Sequence, residues 1–521
     1  MFALQHSTLD LLPLLRKNEY IMHKPGILKT CHPAGILLLG LTLAQVIATV
    51  QVYRSNLDLY NTLTRVAAAG YLAVPNQRVW GSLQEFSPAF WGGLFFTFTI
   101  GAAIALGAMA AAWIWVRLFL RKKSVLILGG FVWAGLLFLV NSNGLSVMPT
   151  LYFLVIAPAV FALTAIRESG ANHEPAEIRR WVHLIPVPLL ALLWFTQFDD
   201  VLFLDLRDNL LLSNNYGRKF SEFYYRYTLY PAQAFKALNQ KTIKTGRIKN
   251  IQSRSMDQRI GRQLIAYDYL PLAESTAVDL TILQHENYLI FQSDSRHIFQ
   301  IPVDQFFADP GRVLGRFSAE CDRHAIFRQF IFWSLLIGFP VSLYLIIHAA
   351  FYYLGYLILG RNTSAWTASI ICLLVGIIVL VVFQSNRSRG IAVQDIATSL
   401  SSNHWQTRVA ALKLIAQKKL EIAAYPSYPL LGKNLPPQER YWLVRTLAFS
   451  HRPATLRDLL GFMNDDNLNV RTMALYSLGL RRDPQAIRPI LKEIENSENW
   501  YDQMYAYKAL RSLGWKQKRS H

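Results

Sequence analysis

Two histidines stand within long apolar stretches, where an ionisable or metal-binding side chain is uncommon. His183 follows Trp181-Val182, and His348 lies within Leu345-Ile-Ile-His-Ala-Ala-Phe-Tyr-Tyr353. Two histidines that face each other from neighbouring membrane helices can ligate a b-type haem. A hydrogen bond to a carbonyl or to a neighbouring helix is the more ordinary use of such a side chain. The sequence therefore predicts no cofactor and keeps haem as an alternative.

An acidic run is the second group of residues with chemical potential. Asp199, Asp200, Asp205 and Asp208 follow the fifth apolar segment within ten residues, and clustered carboxylates bind hard cations such as Ca²⁺. The spacing of an EF-hand is absent. The run therefore predicts the start of a helix at a membrane interface, with its carboxylates in solvent.

Known catalytic patterns are missing from the sequence. It has no nucleophile elbow, HExxH motif or glycine-rich phosphate loop, and the single glycine of Lys244-Thr-Gly-Arg247 predicts a turn. Cys31, Cys321 and Cys372 are far apart and form no CxxC pair. The sequence predicts neither a catalytic site nor a metal site and favours a protein that is not an enzyme, although a catalytic group outside any known motif is an open alternative.

The composition indicates a membrane protein. Of 521 residues, 52% are hydrophobic and only 17% are charged, with a mean hydropathy of +0.22, which is too apolar for a soluble protein of this length. The formal net charge is +20. Nucleic acid is not favoured as a partner, because Lys and Arg accumulate in the cytoplasmic loops of membrane proteins. Membrane lipid and another protein are the predicted partners.

Seven segments approach the roughly 20 apolar residues that a spanning helix needs. They are residues 35–53, 89–116, 124–141, 147–166, 181–198, 330–359 and 365–384. Their central parts contain no Lys, Arg, Asp or Glu, which weakens the case for an ion-coupled transporter. In the second span, Ala103, Gly107 and Ala111 form a stripe of small residues, which predicts close packing within the bundle, with packing against another subunit as the alternative.

Short basic loops predict the orientation of the chain. The N-terminal segment, the loop with Arg117 and Arg121-Lys122-Lys123, and the loop with Arg167, Arg179 and Arg180 fall on one side. The positive-inside rule assigns that side to the cytoplasm. We therefore expect a multi-pass protein of the bacterial cytoplasmic (inner) membrane, whose soluble domains both face the periplasm.

The segment between the fifth and sixth spans has the composition of a soluble domain. Aromatic residues cluster at 220–230 and predict a helix packed on the domain's own core, with a helix lying on the membrane as the alternative. Runs of β-branched and aromatic residues at 280–284, 288–292 and 296–301 predict a small antiparallel sheet. The inserted domain is therefore expected to be α+β.

The C-terminal part of the chain has an internal period. Its four units are Ala411-Leu412-x-x-Ile415-Ala416, Trp442-Leu443-x-x-Thr446-Leu447, Ala474-Leu475-x-x-Leu478-Gly479 and Ala509-Leu510-x-x-Leu513-Gly514, spaced by 31, 32 and 35 residues. Such a period predicts stacked helical hairpins. Residues 404–515 resemble HEAT-like repeats of the phycobilisome-lyase type, with Trp442 in place of the small alanine in the second unit. The resemblance implies a surface that docks a protein partner.

Together these features predict an α-helical integral membrane bundle of about seven spans, an inserted soluble α+β domain and a C-terminal α-solenoid of HEAT-like repeats. The predicted parts are an N-terminal cytoplasmic segment (1–34), spans one to five (35–198), the inserted domain (199–328), spans six and seven (329–384) and the repeat domain (385–521).

The leading functional hypothesis is a membrane-anchored scaffold or assembly factor that docks a partner, itself part of a membrane or periplasmic complex, through the repeats and the inserted domain. The candidate partner-binding residues are Arg471, Tyr476, Arg481 and Arg482 of the third repeat. The alternatives are a transporter or lipid-handling protein, and a haem-b electron-transfer subunit that uses His183 and His348.

Overall fold

The structure is a computed structural model that describes residues 33–170, 185–272, 277–359, 361–388, 390–425 and 435–519. Within these residues, six helices are long and apolar enough to cross a membrane. The first part of the chain forms α1 (Pro33–Ala68), α2 (Gln77–Gln84), α3 (Phe86–Leu118), α4 (Lys123–Val140), α5 (Val147–Ser169) and α6 (Pro186–Phe195). The fifth predicted span is described only as α6, because residues 171–184, His183 among them, lie outside the described part.

Small residues bring α1 and α3 into close contact. A Cβ atom added at Gly101 would lie 2.3 Å from the Cβ of Ala44, and one added at Gly40 would lie 2.9 Å from the Cβ of Ala105. These glycines let the two helix backbones approach, as small residues do between membrane helices. The stripe of Ala103, Gly107 and Ala111 was predicted to pack within the bundle. This prediction was wrong in part, because Gly107 and Ala111 are exposed. The residues that face the bundle are Gly101, Ala105, Ala108 and Ala112.

The inserted domain is α+β, as predicted. It contains α7 (Leu202–Leu206), α8 (Asn215–Tyr227), α9 (Leu229–Ala234), β1 (Lys244–Lys249), α10 (Arg254–Ala266), β2 (Tyr269–Pro271), β3 (Leu280–His285), β4 (Tyr288–Ser293), β5 (Arg296–Pro302), α11 (Val303–Ala308) and α12 (Pro310–Glu320). The sheet order is β2-β1-β3-β4-β5. Strands β3, β4 and β5 are antiparallel, which confirms that prediction, whereas β1 is parallel to both of its neighbours.

Two local predictions for this domain were wrong. Residues 244–247 are not a turn but the start of β1, where the Thr245 N–H and hydroxyl donate to the Asp279 carboxylate at 2.8 and 2.9 Å. The aromatic cluster at 220–230 does not fill the domain's own core, since Phe220 is 57% and Phe223 40% exposed and the buried Tyr230 packs against Gly92 of α3. Helix α8 is instead held by a close backbone approach at Gly217, where an added Cβ would lie 2.4 Å from the Leu211 carbonyl oxygen.

The chain then returns to the bundle and ends in a helical array. These parts are α13 (Ala325–Leu359), α14 (Arg361–Asn386), α15 (Ile396–Leu400), α16 (Trp405–Lys418), α17 (Pro437–Leu447), α18 (Thr455–Phe462), α19 (Leu468–Arg481), α20 (Ile487–Asn496) and α21 (Trp500–Ser512). Each of the four predicted repeat units contributes one long helix, namely α16, α17, α19 and α21.

Burial fixes the register of these four helices. The fully buried positions are Ala411, Leu443, Ala474 and Ala506, together with Ile415, Leu447, Leu478 and Leu510 four residues later, and each set is spaced by 32, 31 and 32 residues. The predicted register was therefore wrong by one residue in the second unit and by three in the fourth. Trp442 does not replace a small core alanine, because it occupies the position of Ala410 and Met473.

Both soluble parts contact the same end of the helix bundle. The turn after α4 meets the inserted domain, where Ser146 Oγ lies 3.4 Å from His324 Nδ1, and Asp199 pairs with Arg387 just after α14. The opposite end contains Arg117, which pairs with Glu168 at 2.9 Å. Glu168 and Asp199 therefore lie at opposite ends of the bundle, and α6 is the described helix between them in the chain.

The contact between α1 and α3 gives a matched pair of substitutions. We expect Gly101→Ala to destabilise the protein by about 1–3 kcal/mol, because its methyl group would overlap Ala44. Gly107→Ala, in the same helix, meets nothing within 4 Å and should cause no loss of stability. Thermal unfolding of both variants in mild detergent compares them. Equal unfolding temperatures for the two variants would contradict the close packing.

Candidate docking surface

An arginine at the same position of three units ties the array together. Arg408 forms a bidentate ion pair with Glu439 at 2.7 Å, Arg440 pairs with Asp465 at 2.8 Å, and Arg471 pairs with Asp502 at 3.1 Å. Each guanidinium also donates to a carbonyl that precedes its own helix, at Ser402, Leu435 and Asp465 respectively. Each arginine therefore joins the start of its own helix to a neighbouring segment, and we call this set the arginine ladder.

Arg471, a candidate partner-binding residue, is part of this ladder. Its acceptor Asp502 is buried, and burial raises the pKa of that carboxyl group to about 6 even though Arg471 acts in the opposite direction. Bonds that hold buried charges in place are costly to break. The structure therefore gives Arg471 a role inside the array, and its role in binding a partner stays a prediction.

The fourth unit has Gln503 at the position of the ladder arginine. Its side-chain N–H donates to the Ser497 carbonyl at 2.7 Å, and its side-chain oxygen accepts the Asn76 backbone N–H at 2.7 Å. The Asn76 amide in turn donates to the Ile494 carbonyl at 2.7 Å. The loop between α1 and α2 thus covers the end of the array, where a stacked repeat would otherwise leave unpaired polar groups.

The first two units are fixed by buried carboxylates of residues 202–211, a segment of the inserted domain that contacts the end of α14. Asp208, 1% exposed, accepts from Arg207 at 2.6 Å and from the Trp442 indole N–H at 3.0 Å. Asp205 pairs with Lys413 and with Arg387, each at 3.3 Å. The prediction that these carboxylates are solvated is wrong for both residues. Arg207 also lies 3.9 Å above the Tyr441 ring, which completes a dense contact between the bundle end and the array.

A third contact joins the array to the inserted domain. The Tyr507 hydroxyl donates to Asp268 at 2.6 Å, and Arg511 pairs with the same carboxylate at 3.1 Å. The array is thus attached near one end to residues 202–211, near the other end to the loop between α1 and α2, and at α21 also to Asp268 of the inserted domain. These contacts fix its orientation and leave the edge formed by the C-terminal ends of α16 and α19 exposed.

A basic cleft lies along this exposed edge. It has a volume of about 470 Å³ and is lined by Lys419, Ala448, Phe449, Ser450, His451, Leu480, Arg481 and Asp483. Lys419 and Arg482 both follow a long helix in the left-handed conformation that ends helices, with φ of 54° and 56°. Lys419, His451 and Arg482 are spaced by 32 and 31 residues, so they occupy the same position in successive repeats. The stacking of the repeats therefore places these basic residues next to one another.

Two acidic residues lie at or beside the cleft, and both accept hydrogen bonds from backbone N–H groups. Burial acts to raise the pKa of Glu421, but the N–H groups of His451 and Ala423 outweigh it and lower that pKa below its usual value. Asp483 accepts the Gln485 N–H as the cap of the next turn. The side chains of Lys419 and His451 are exposed beside them. The cleft is therefore suited to an anionic group, such as a carboxylate side chain.

The four sequence candidates do not form one surface. Arg481 lines the cleft, where it donates to the Ser450 carbonyl, and the exposed Arg482 follows it in the chain. Tyr476 lies on another face, with the Arg445 guanidinium 5.5 Å from its ring centroid. Arg471 is ten residues from Arg481, roughly 15 Å along the helix. Lys419 and His451 were missed, although aligning the units at 32 and 31 residues would have placed both beside Arg482.

His348 contacts a neighbouring helix. Its Nε2 lies 3.2 Å from the Ser369 hydroxyl of α14, and its ring stacks on Tyr344 at 5.9 Å. The helix-contact interpretation is confirmed for this residue. The haem alternative stays untested, because His183 lies outside the described residues. No group of three His, Cys, Asp or Glu that could hold a metal ion occurs in the described part of the chain.

Comparison with known proteins supports the C-terminal assignment. A family model of HEAT repeats matches residues 428–514, which confirms the predicted resemblance for the second to fourth units. No curated protein matches the chain. No solved structure matches it either. HEAT repeats generally mediate interactions between proteins.

The buried attachment of the array can be tested through hydrogen exchange of the full-length protein in detergent. Asp208→Asn removes the charge that faces Arg207 and Lys413, and breaking a buried pair costs about 3–5 kcal/mol. We expect at least about tenfold faster exchange in α16 and α17. Asp466→Asn is the control, because that carboxylate also pairs with an arginine but is 87% exposed. Unchanged exchange in Asp208→Asn would show that the attachment does not depend on this pair.

Proposed function

We propose that this protein is a membrane-anchored scaffold that docks an acidic segment of a partner protein in the basic cleft of its HEAT repeats. The observation that carries the proposal is the attachment of the array at three places, while none of the attaching residues lines the cleft. A fixed array presents its cleft in one orientation relative to the bundle, which reduces the entropy lost when a partner is positioned there. This rigidity suits a scaffold or an assembly factor.

The charge of the cleft supports an acidic partner. Lys419, His451 and Arg481 line it, with Arg482 beside them and Asp483 as the lining carboxylate. Complementary charge raises the rate of association and selects among partners. The exposed Leu480 side chain adds an apolar contact between the basic groups. A short segment with acidic residues around an apolar side chain would complement this surface.

We further propose that the soluble parts face the side opposite the cytoplasm, which is the periplasm in a bacterial cell. The six long apolar helices fit a membrane bundle. Arg117, Arg121, Lys122 and Lys123 are clustered at the end of this bundle that is far from both soluble parts. By the positive-inside rule, such a cluster stays in the cytoplasm.

Crosslinking in cells tests the docking proposal. A photoreactive amino acid at Leu480 should capture a partner through an acidic segment, and mass spectrometry would identify the crosslinked peptide. Lys419→Asp with Arg482→Asp should reduce this adduct at least about tenfold, because two favourable charges become repulsive. Aspartate is chosen because it tolerates the left-handed conformation of both positions.

Lys492→Glu is the matched control, since Lys492 is an exposed basic residue on α20, outside the cleft. An adduct that survives the aspartate substitutions, or that is lost equally in Lys492→Glu, would contradict docking in the cleft.

Cysteine labelling in intact cells tests the sidedness. In a variant whose three native cysteines are replaced by alanine, Lys518→Cys near the exposed C-terminal end should react with a maleimide that cannot cross the membrane. Lys122→Cys, at the opposite end of the bundle, should react only after the cells are permeabilised. The reverse pattern would place the soluble parts in the cytoplasm and overturn the proposed orientation.

A further inference from the structure

Helix α8 presents an aromatic stripe that the described part of the chain leaves largely exposed. Tyr216, Phe220, Phe223 and Tyr227 recur at intervals of four, three and four residues, so they share one face of this 13-residue helix. Tyr216 is 88%, Phe220 57% and Phe223 40% exposed, and Ser221 is the one residue of α8 that is buried. A stripe of exposed aromatic residues on a folded protein marks a contact surface.

The stripe continues directly onto the lipid-facing side of a predicted span. The Trp91 ring at the start of α3 lies 5.6 Å from the Phe223 ring and 6.2 Å from the Tyr227 ring. Phe86 and Phe90, which precede it on α3, are also exposed. Tryptophan and tyrosine concentrate where a membrane helix meets the headgroup layer. The α8 stripe and the start of α3 therefore form one continuous aromatic surface at the level of that layer.

The attachment of α8 prevents this face from turning away. Its N-terminal turn is fixed by the close approach of Gly217 to the carbonyls of Leu210 and Leu211. Its C-terminal turn leads into α9, where Pro231 and Tyr230 pack against Gly92 of α3. The helix therefore keeps a constant height and rotation relative to the bundle.

The charges of α8 indicate which lipid it contacts. Lys219 and Arg226 are exposed on the side of the helix next to the stripe, whereas Arg218 and Glu222, its one acidic residue, lie four residues apart on the side opposite the stripe. A helix with aromatic residues on one face and basic residues beside them is typical of helices that lie in a membrane surface. Basic side chains at that height attract anionic headgroups, with about 1 kcal/mol for each Lys or Arg.

We propose that α8 is a membrane-surface helix whose aromatic stripe enters the headgroup layer and whose basic residues bind the phosphate groups of anionic lipid. The proposal rests on the membrane position given above. It has a consequence for the array, because the Tyr225 ring of α8 contacts the Tyr501 ring of α21 at 5.0 Å. The lipid contact of α8 thus supports the last repeat from the membrane side.

Fluorescence of the full-length protein in lipid nanodiscs tests this. An environment-sensitive NBD label is attached at Phe220→Cys in the variant without native cysteines, and a nitroxide on the lipid headgroup is the quencher. We expect about threefold stronger quenching at this position than at Glu222→Cys, which lies on the opposite side of the same helix. Tyr216→Cys, a second position on the stripe, should behave like Phe220→Cys.

Lipid composition tests the charge. Nanodiscs that contain phosphatidylglycerol should increase the quenching at Phe220→Cys over nanodiscs of phosphatidylcholine alone. The added substitutions Lys219→Gln and Arg226→Gln should abolish this increase, since each lost charge weakens binding to the anionic headgroups by roughly fivefold. Inorganic phosphate at the same concentration should not substitute for the lipid. An increase that survives both substitutions, or that phosphate reproduces, would overturn the assignment to anionic lipid.

A label at Leu128→Cys, on the exposed side of α4, separates the two proposals. If Leu128→Cys responds to a quencher in the acyl chains while positions 216, 220 and 222 are quenched equally weakly, the membrane bundle stands and the surface helix is wrong. If Leu128→Cys also fails to respond, the membrane position itself is wrong.

Discussion

Burying a carboxylate is unfavourable unless its charge and its lone pairs are matched, and Asp208 imposes this requirement on two distant parts of the chain. Its partners are the neighbouring Arg207, the indole of Trp442 and, at 4.0 Å, the ammonium of Lys413. These contacts form only when the first two repeats lie against the end of the bundle. The orientation of the array, and with it the direction of the basic cleft, therefore depends on the contacts of Asp208 as well as on the two attachments at α21.

The sequence predicts those features whose physical cause is periodic. Long apolar runs identify six helices of spanning length, and a period of about 32 residues identifies the HEAT units, because each pattern repeats the same burial many times. The register of the repeats was harder to predict, because Trp442 and Ala509 are also buried although they do not occupy the aligned core positions. The ladder of Arg408, Arg440 and Arg471 is the stronger guide, because a buried ion pair admits no shift of one residue.

Features that depend on contacts between distant segments could not be predicted from the sequence. Asp205 and Asp208 have the composition of a solvated helix start, and nothing local reveals that Lys413 and Trp442 cover them. The aromatic face of α8 resembles a core face for a related reason, because an apolar pattern does not tell whether protein or lipid lies opposite. At the candidate site, the sequence analysis placed Arg481 and Arg482 on a common surface with Arg471. In the structure, Arg471 near the start of α19 pairs with Asp502 inside the array, whereas Arg481 at its end lines the cleft.

Gln503 stands where the other three units have an arginine, and it contacts Asn76 instead of a further repeat. The array therefore ends at this unit. Repeat proteins commonly gain or lose units by internal duplication, since each unit contacts only its neighbours. Here Asp208, in the segment after α7, sets one terminus of the stack, and Asn76, in the loop after α1, sets the other. One more unit would lengthen the stack by roughly 10 Å and separate it from one of these two points. The distance between the two points therefore limits the number of repeats, which can change only together with that distance.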